Sequence, residues 1–445
     1  MGDKKQIAIL GGGTVSWVAN HLAITAPAYG TTARKIREIC EELIPEMDPV
    51  LYLTKMAGGG VVDLETNEDI AKLVDDLTHD NLTKIIFFSV SMVDFNAKLL
   101  DDHKTFIIGD DPIQCYNEKH NASKYGDRLR SNCSHTFDFE PTDKVIQEVR
   151  KHRKDIFLVG FKQTCGLTED EQYIEGLNLC KKASCNLVLA NDTKTRLNMV
   201  ITPEEARYHV TTDRDEALRG LVHMAKHRSH LTFTRSTVVA GESVPWDSPL
   251  VPESLRKVVD YCIEQGAYKP FNGATVGHFA CKLADNVFLT SKRRTNFNDL
   301  KDIGLVRVET DGPDTVIAYG SKPSVGGQSQ RIIFDNHKEA DCVVHFHSPI
   351  KEGSEVPQVS QYLVECGSHA CGQQTSNGLK QFGNLKAVYL QEHGPNIVFN
   401  HEIDPQEVID FIEKNFDLSQ KTGGFVSIKQ RLERNSVLED FIQSN

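Results

Sequence analysis

Three histidines carry the strongest chemical signal in this chain. His345 and His347 lie in the run DCVVHFHSP, and His393 lies in AVYLQEHGPNIVF. Val343 and Val344 make the first run read as a buried strand, where residues two apart share a face, so both imidazoles can address one ion. His393 is followed by Gly394 and Pro395, which place it at a strand end or turn. Three neutral imidazoles converging from two strands, with a coordination position left open, are the usual protein contribution to a catalytic zinc-type site. A lone HxH on an apolar strand also occurs as a purely structural pair. The converging set predicts an enzyme.

A second signal opens the chain. Gly11, Gly12 and Gly13 directly follow the apolar run IAIL and precede Thr14. Such a turn lets backbone approach a phosphate while amides and a hydroxyl donate. The same residues also suit a tight strand-to-helix turn with no ligand. A Walker lysine spacing and a strict GxGxxG are both missing, so neither fingerprint decides a cofactor.

The elements that must position these groups differ between the two halves. The first alternates strands (IAIL, VLYL, KIIFFSV, TFIIG, DIFLVGF, NLVLAND) with predicted helices over 31–43, 69–77, 144–153 and 169–182. That rhythm implies a mostly parallel, doubly wound α/β sheet, with ligands at the carboxyl ends of its strands. The stretch 229–253, which holds VAGESVPWDSPLVPES, breaks the rhythm with three prolines and reads as a linker between a domain over 1–228 and another over 254–445. The second half is more β-rich. At 445 residues the chain can bury two sizeable cores. A formal charge of -12 with mixed signs argues against nucleic acid or a membrane surface as partner. Its 11 cysteines form no CxxC pair and suit a reducing compartment. No apolar run reaches membrane-span length, so a cytoplasmic protein is expected.

In order, ILGGGT, KIIFFSVSMVDFNA, DIFLVGFKQT and CKKASCNLVLANDT resemble the strand-end motifs of phosphopantothenoylcysteine synthetase (phosphopantothenate-cysteine ligase) over about 7–225. The resemblance implies a Rossmann-like domain binding CTP or ATP through Gly11, Gly12, Gly13, Thr14, Asp94, Phe161, Lys162, Lys182, Asn191 and Asp192. Lys162 and Lys182 would neutralise phosphates and Asn191 would read an amide or hydroxyl edge. Asp94 and Asn191 also suit capping turns after their strands, which is the lesser reading. One departure stands out: the family's Asn and Ser-Ser-Gly stretch has no counterpart in NHLAITAPAYGTTA. Nucleotide binding is therefore expected more than the original ligase reaction.

From 254 to about 416 the order SLRKVVDYCIEQGAYKPFNGATVGHFACKL, NVFLTSKRR, VIAYGSKPSVGGQSQ, DCVVHFHSP and AVYLQEHGPNIVF resembles the class II aldolase/adducin family. This implies an α/β domain with a mainly antiparallel sheet. It also implies a divalent metal on His345, His347 and His393, zinc first with manganese or iron as alternatives, and substrate phosphate against Asn272, Gly273, Thr290, Ser291 and Ser324. Ser324 also suits a helix N-cap. The family's proton-transferring Glu just after the Lys-Pro-Ser turn is missing, since Val325, Gly326 and Gly327 follow Ser324. Glu352, Glu355 and Tyr389 are the replacement candidates, together with the substrate's own phosphate. Glu392, beside His393, reads as a supporting or surface carboxylate.

Together these readings predict a two-domain metabolic enzyme, a metal-dependent lyase using enediolate or carbanion chemistry on a phosphorylated hydroxy-carbonyl compound, fused to a nucleotide-binding domain. Two alternatives remain open. One is a CTP- or ATP-dependent carboxylate-amine ligase with an accessory aldolase-like domain; the other is a non-catalytic, adducin-like assembly module. Both families imply a homo-oligomer, dimeric or tetrameric.

Overall fold

The computed structural model describes residues 4–100, 105–108, 111–114, 124–125, 128–129, 135–324 and 327–421. The chain divides into two compact units, 1–200 with 211–229 and 201–210 with 230–445.

In the first unit the apolar runs become strands buried on both faces: Ile7 to Leu10, Ile85 to Phe87 and Leu187 to Ala190 are all fully buried. This is the pattern of a sheet covered by helices on both sides. Its spatial order is Asp48–Leu53, Gln6–Gly11, Thr83–Phe88, Phe157–Thr164 and Leu187–Asp192, paired in parallel. Strand Asn198–Ile201 extends the same sheet. The first strand therefore lies between the second and third, which puts the topological switch point, the usual ligand crevice of such sheets, at Gly11 and Phe88. Helix Asn67–His79 is started by a capping box between Thr66 and Asp69, and Glu169–Ala183 by one between Thr168 and Glu171. The run TFII does not join the parallel sheet as expected. Thr105–Ile108 pairs antiparallel with Asp111–Gln114, so a local partner takes its hydrogen bonds.

In the second unit a ten-stranded sheet runs from Arg235–Val239 through Thr315–Tyr319, Val306–Thr310, Val287–Thr290, His278–Ala284, Cys342–His345, Gly394–Phe399 and Leu385–Leu390 to Gln358–Val359, with Lys380–Phe382 branching from Leu385–Leu390. Pairing is antiparallel except at the two ends of that path. The expected linker 229–253 is corrected here. Arg235–Val239 is a strand of this sheet, Val244 bridges Leu305, and Trp246 is buried with its indole donating to Asp260 at 2.9 Å. The three prolines shape a loop, but Trp246 and Val251 anchor it in the apolar core.

The sheet's two faces have different jobs. Cys342, Val344 and Phe346 join Phe279, Cys281, Ile397, Phe399 and Tyr389 in a core covered by helices Glu253–Glu264 and Pro405–Asn415. Val343, Ala280 and Val398 face the other way, toward Ile333 and Phe334 of helix Gly327–Asn336. By alternation His345 belongs to this second face. Glycines on both neighbouring strands press against the histidine strand. A Cβ on Gly394, at φ +149°, would lie 2.0 Å from the Phe346 carbonyl oxygen, and one on Gly277, at φ +110°, would lie 2.6 Å from that of His345. Replacing Gly394 by alanine is therefore expected to lower stability by about 3 kcal/mol or more. Urea unfolding of the two proteins side by side measures it.

Candidate functional site

His345 ends the strand Cys342–His345, His347 lies two residues on, and His393 sits in the turn that enters Gly394–Phe399. Gly394 is what allows this turn to approach the histidine strand so closely. The three rings are buried, with centroids 5.1 Å apart for His345 and His347, and 4.6 Å for each of these with His393. Their ligating nitrogens lie within 4.8 Å of one another. The Nδ1 hydrogen of His345 is donated to the Pro395 carbonyl at 2.7 Å, which leaves Nε2 as the lone-pair nitrogen. That Nε2 lies 3.3 Å from His393 Nε2. Two imidazole nitrogens on one tetrahedral ion, each bonded at about 2.0–2.1 Å, are separated by about 3.3–3.4 Å. Burial pulls the His345 pKa down to about 4, against a smaller upward pull from its bond to Pro395, so the ring is neutral at pH 7. The donor type and spacing of the set, with the tautomer and protonation state of His345, fit a divalent borderline metal.

A fourth imidazole, absent from the sequence reading, belongs to the same face. His278 pairs with His345 across the sheet, and His345 pairs in turn with Asn396, so His278, His345 and Asn396 form one row. The His278 ring lies 4.7 Å from that of His345, and its Nδ1 accepts from the Gln330 side-chain amide at 2.9 Å. The hydrogen of the neutral ring is therefore on Nε2, and burial holds its pKa well below the usual value. Gln330 comes from the helix that covers this face. The one sequence signal for His278 is its place directly after Gly277 at the start of an apolar strand. Around the row, Gln330 Oε1, Asn396 Oδ1, Ser291 Oγ and Ser348 Oγ are buried with no hydrogen-bond partner among the described residues. Buried polar atoms left in this way mark a place built for water, an ion or a polar ligand.

The other candidates separate. Thr290 and Ser291 are buried next to this region, the Thr290 hydroxyl bonds the Phe279 carbonyl at 3.3 Å, and the Ser324 amide donates to the Ser291 carbonyl at 2.9 Å. The structure thus brings Ser291 and Ser324 together. Asn272 and Gly273, at φ 51° and 79°, form the exposed two-residue turn of the hairpin Pro270–Phe271 and Ala274–Thr275. An Asn-Gly pair is what such a turn demands, and that accounts for both residues. Tyr389 is not with the histidines: it faces the opposite side of the sheet, stacked on Phe416 at 6.3 Å. Glu352 and Glu355 are exposed on a turn tied to the end of helix Pro405–Asn415 through Lys351 and Ser354. Glu355 borders an open depression with Phe382, Glu407 and Lys414. The two glutamates are thus exposed and Tyr389 is in the core, whereas the three histidines are buried on the other face. Glu392 occupies the turn before His393 at φ 59°. Gly326 lies outside the described residues, and Gly327 begins the helix that carries Gln330.

In the first unit, the three glycines sit where the chain packs closely. Side-chain carbons there would lie 2.3 Å from the Ala33 side chain, 2.2 Å from the Thr54 hydroxyl and 1.9 Å from the Ala26 carbonyl for Gly11, Gly12 and Gly13 respectively. Nor does a helix follow directly, because Val15–Ala19 and Leu22–Thr25 form a hairpin before helix Thr31–Leu43. Thr14 is fully buried: its hydroxyl donates to Asn67 at 2.7 Å and accepts from the Val93 amide at 2.9 Å. Asp192 is likewise occupied, accepting from Thr164 and from the amides of Gly166, Leu167, Lys194 and Thr195. These bonds, the Thr195 amide foremost, hold its carboxyl well below the ordinary range. Thr14 and Asp192 thus build the strand-end turns. Asp94 pairs with Lys144, and Lys162 pairs with Glu175 at 2.9 Å. Phe161, Lys162 and Asn191 lie half-buried near the carboxyl ends of adjacent strands, while Lys182 is exposed in the last turn of helix Glu169–Ala183.

Residues 256–399 match the family model of the class II aldolase and adducin N-terminal domain. The N-terminal region is similar to the coenzyme A biosynthesis bifunctional protein CoaBC of Thermococcus kodakarensis, 23% identical over 196 residues, or 43% of this chain and 42% of the relative. The chain therefore spans less than half the length of that curated relative. Among solved structures, the DNA/pantothenate metabolism flavoprotein from Streptococcus pneumoniae aligns with 50% of this chain and 97% of its own at 17% identity and TM-score 0.36. YgbL from Escherichia coli, a putative aldolase/epimerase/decarboxylase, aligns with 36% and 83% at 19% identity and TM-score 0.28. The chain thus joins a synthetase-like N-terminal region to a class II aldolase-like C-terminal one. No helix among the described residues is long and apolar enough to cross a membrane.

The buried imidazoles couple stability to pH. His345 has a folded pKa of about 4, below its value of about 6.5 in the unfolded chain. Its neutral form therefore favours folding above pH 6.5, and that stability is lost as pH falls from about 6.5 toward 4, by up to about 3 kcal/mol. Chelator-treated protein should show this fall in unfolding free energy, and His345→Gln should reduce it, leaving the part that the buried His278 contributes.

Proposed function

We propose that the second unit is a metal-dependent lyase of the class II aldolase type, acting on a phosphorylated hydroxy-carbonyl compound. The observation that carries this reading is the 3.3 Å approach of the His345 and His393 Nε2 atoms, with His345 in the neutral tautomer that leaves its Nε2 lone pair to a metal. A divalent ion held by His345, His347 and His393 supplies a Lewis acid that polarises a carbonyl. The protein's own groups then bind and orient. His278 offers an Nε2 hydrogen to a substrate oxygen from the same sheet face, with its tautomer set by Gln330. Ser291, Ser324 and Ser348 offer hydroxyls to the anionic end. With Tyr389 on the core side of the sheet, proton transfer is assigned to the substrate's own phosphate or to the exposed Glu352 or Glu355. Three buried imidazoles at ligating spacing are a costly arrangement for a module that only assembles, which weighs against the adducin-like alternative.

The first unit we read as a nucleotide-binding domain for CTP or ATP, on its sequence similarity to the CoaBC protein. Gly11, Gly12, Gly13, Thr14, Asp94, Phe161, Lys162, Lys182, Asn191 and Asp192 are the residues proposed to serve it, with Phe161, Lys162 and Asn191 near the carboxyl ends of adjacent strands. A ligase reaction in this unit is the second reading, favoured by the same similarity. Zinc is the first choice of metal, and a homo-oligomer the expected assembly.

Elemental analysis of the purified chain should find about one equivalent of zinc, manganese or iron, and His345→Ala and His393→Ala should lose it. A wild type that stays metal-free after reconstitution with all three ions would sink the lyase reading. The same proteins, warmed with CTP or ATP, test the other unit: a melting shift retained in His345→Ala but lost in Lys162→Ala locates nucleotide in the first unit.

A further inference from the structure

The first unit carries a second histidine cluster that neither the proposed lyase site nor the nucleotide reading uses. Asp75 and His79 are four residues apart on helix Asn67–His79, and so share one face of it. Ile70, Leu73, Val74 and Leu77 of the same helix are buried, which leaves Asp75 and His79 on the solvent side. His152 ends the short helix Glu148–His152 and lies beside them, its ring centroid 5.8 Å from that of His79. One donor atom from each of the three falls within 4.8 Å of the others.

Two further features make this more than a chance grouping. The His79 Nδ1 sits 2.8 Å from the Asp75 backbone carbonyl, so Nδ1 carries the hydrogen and Nε2 keeps its lone pair. A backbone carbonyl behind the ring is the usual support for a ligating histidine. Arg153, next to His152, donates to the carbonyls of Thr78 and Asp80 at 3.3 Å each, the two residues that flank His79. That bracket fixes one histidine relative to the other. The charge of Arg153 is met by a two-pronged pairing with Asp155 at 2.7 and 2.8 Å, so it does not oppose a cation nearby. Both histidines also stand at helix carboxyl ends, where the backbone partial charge is negative and a cation is favoured.

We propose that Asp75, His79 and His152 form a second, exposed metal site that takes a borderline divalent transition ion such as zinc. Two imidazoles and one carboxylate select zinc, copper or nickel over calcium or magnesium. The rings are wider apart than the 4.6–5.1 Å of the buried histidines, and exposed side chains have the freedom to close that gap. A bound ion ties the ends of the two helices together and leaves its remaining coordination positions to water.

The test is a zinc titration of the full-length, chelator-stripped chain against a chromogenic competitor. It is run on wild type, His347→Ala, His79→Ala, His152→Ala and Asp75→Asn, with calcium as a parallel probe. The expected result is a zinc equivalent that survives in His347→Ala and weakens about tenfold or more in both His79→Ala and His152→Ala, with calcium not competing. Copper substituted into His347→Ala should show nitrogen couplings in its electron paramagnetic resonance spectrum that each of the two exposed-histidine substitutions removes. All three residues are solvent-facing, so these variants fold, and far-ultraviolet circular dichroism verifies it. Unchanged zinc binding in both His79→Ala and His152→Ala overturns the proposal, as does a wild type whose entire zinc binding vanishes in His347→Ala. Failure here leaves the buried site untouched, because the His347→Ala comparison reads the two sites separately.

Discussion

The second unit depends on how closely three strands pack at the histidines. Gly277 and Gly394 press on the carbonyls of His345 and Phe346 from opposite sides, at distances no side-chain carbon tolerates. That packing carries His393 to within 3.3 Å of His345 and lays His278 against the other side of the same ring. A methyl group at Gly394 would push the His393 turn away and open the set. The backbone thus brings the imidazoles together, and the Pro395 carbonyl sets the tautomer of His345 once they have met.

Strand alternation then separates packing from chemistry. Phe346 stands between His345 and His347 in sequence, yet it points into the apolar core with Tyr268 and Phe416, while the histidines face the helix that carries Gln330. The same rule removes Tyr389, whose ring lies on the core side. A phenol or carboxylate close in sequence to a metal ligand is not close to the metal unless it shares the face.

The first unit shows that one residue type can answer two different demands. Gly11, Gly12 and Gly13 sit at the switch point of a doubly wound sheet, where a phosphate-binding turn is expected. The space beside their α-carbons is instead taken by Ala33, Thr54 and the Ala26 carbonyl. The loop continues as a ladder with the next strand's extension, Ser91 donating to Gly12 and Thr14 donating to Ser91. Glycine reports that something comes close, but not whether that something is ligand or chain.

Much was legible from the residues alone. Apolar runs of parallel-sheet type, helix periodicity and the HxH strand foretold the α/β sheet of the first unit, the helices over 31–43 and 169–182 to within a residue, and the candidate metal ligands. These properties are local, set by alternation, capping and side-chain chemistry within a few neighbours. What the sequence could not decide depended on long-range register. Pairing His278 with His345 joins residues 67 positions apart, and Gln330 reaches His278 from a separate helix. Asn272 and Gly273 read as a phosphate loop, and the hairpin they turn became visible only when the short strands on either side paired. The amides that fold around Asp192 come from two separate turns, which its place at the end of NLVLAND did not reveal. The tail of stretch 229–253 looked like a linker because proline count is local, whereas the burial of Trp246 is not. Residue types and short spacings determined which chemistry this chain can perform; only the tertiary structure decided which groups meet, because a partner's identity depends on backbone packing between segments far apart in the chain.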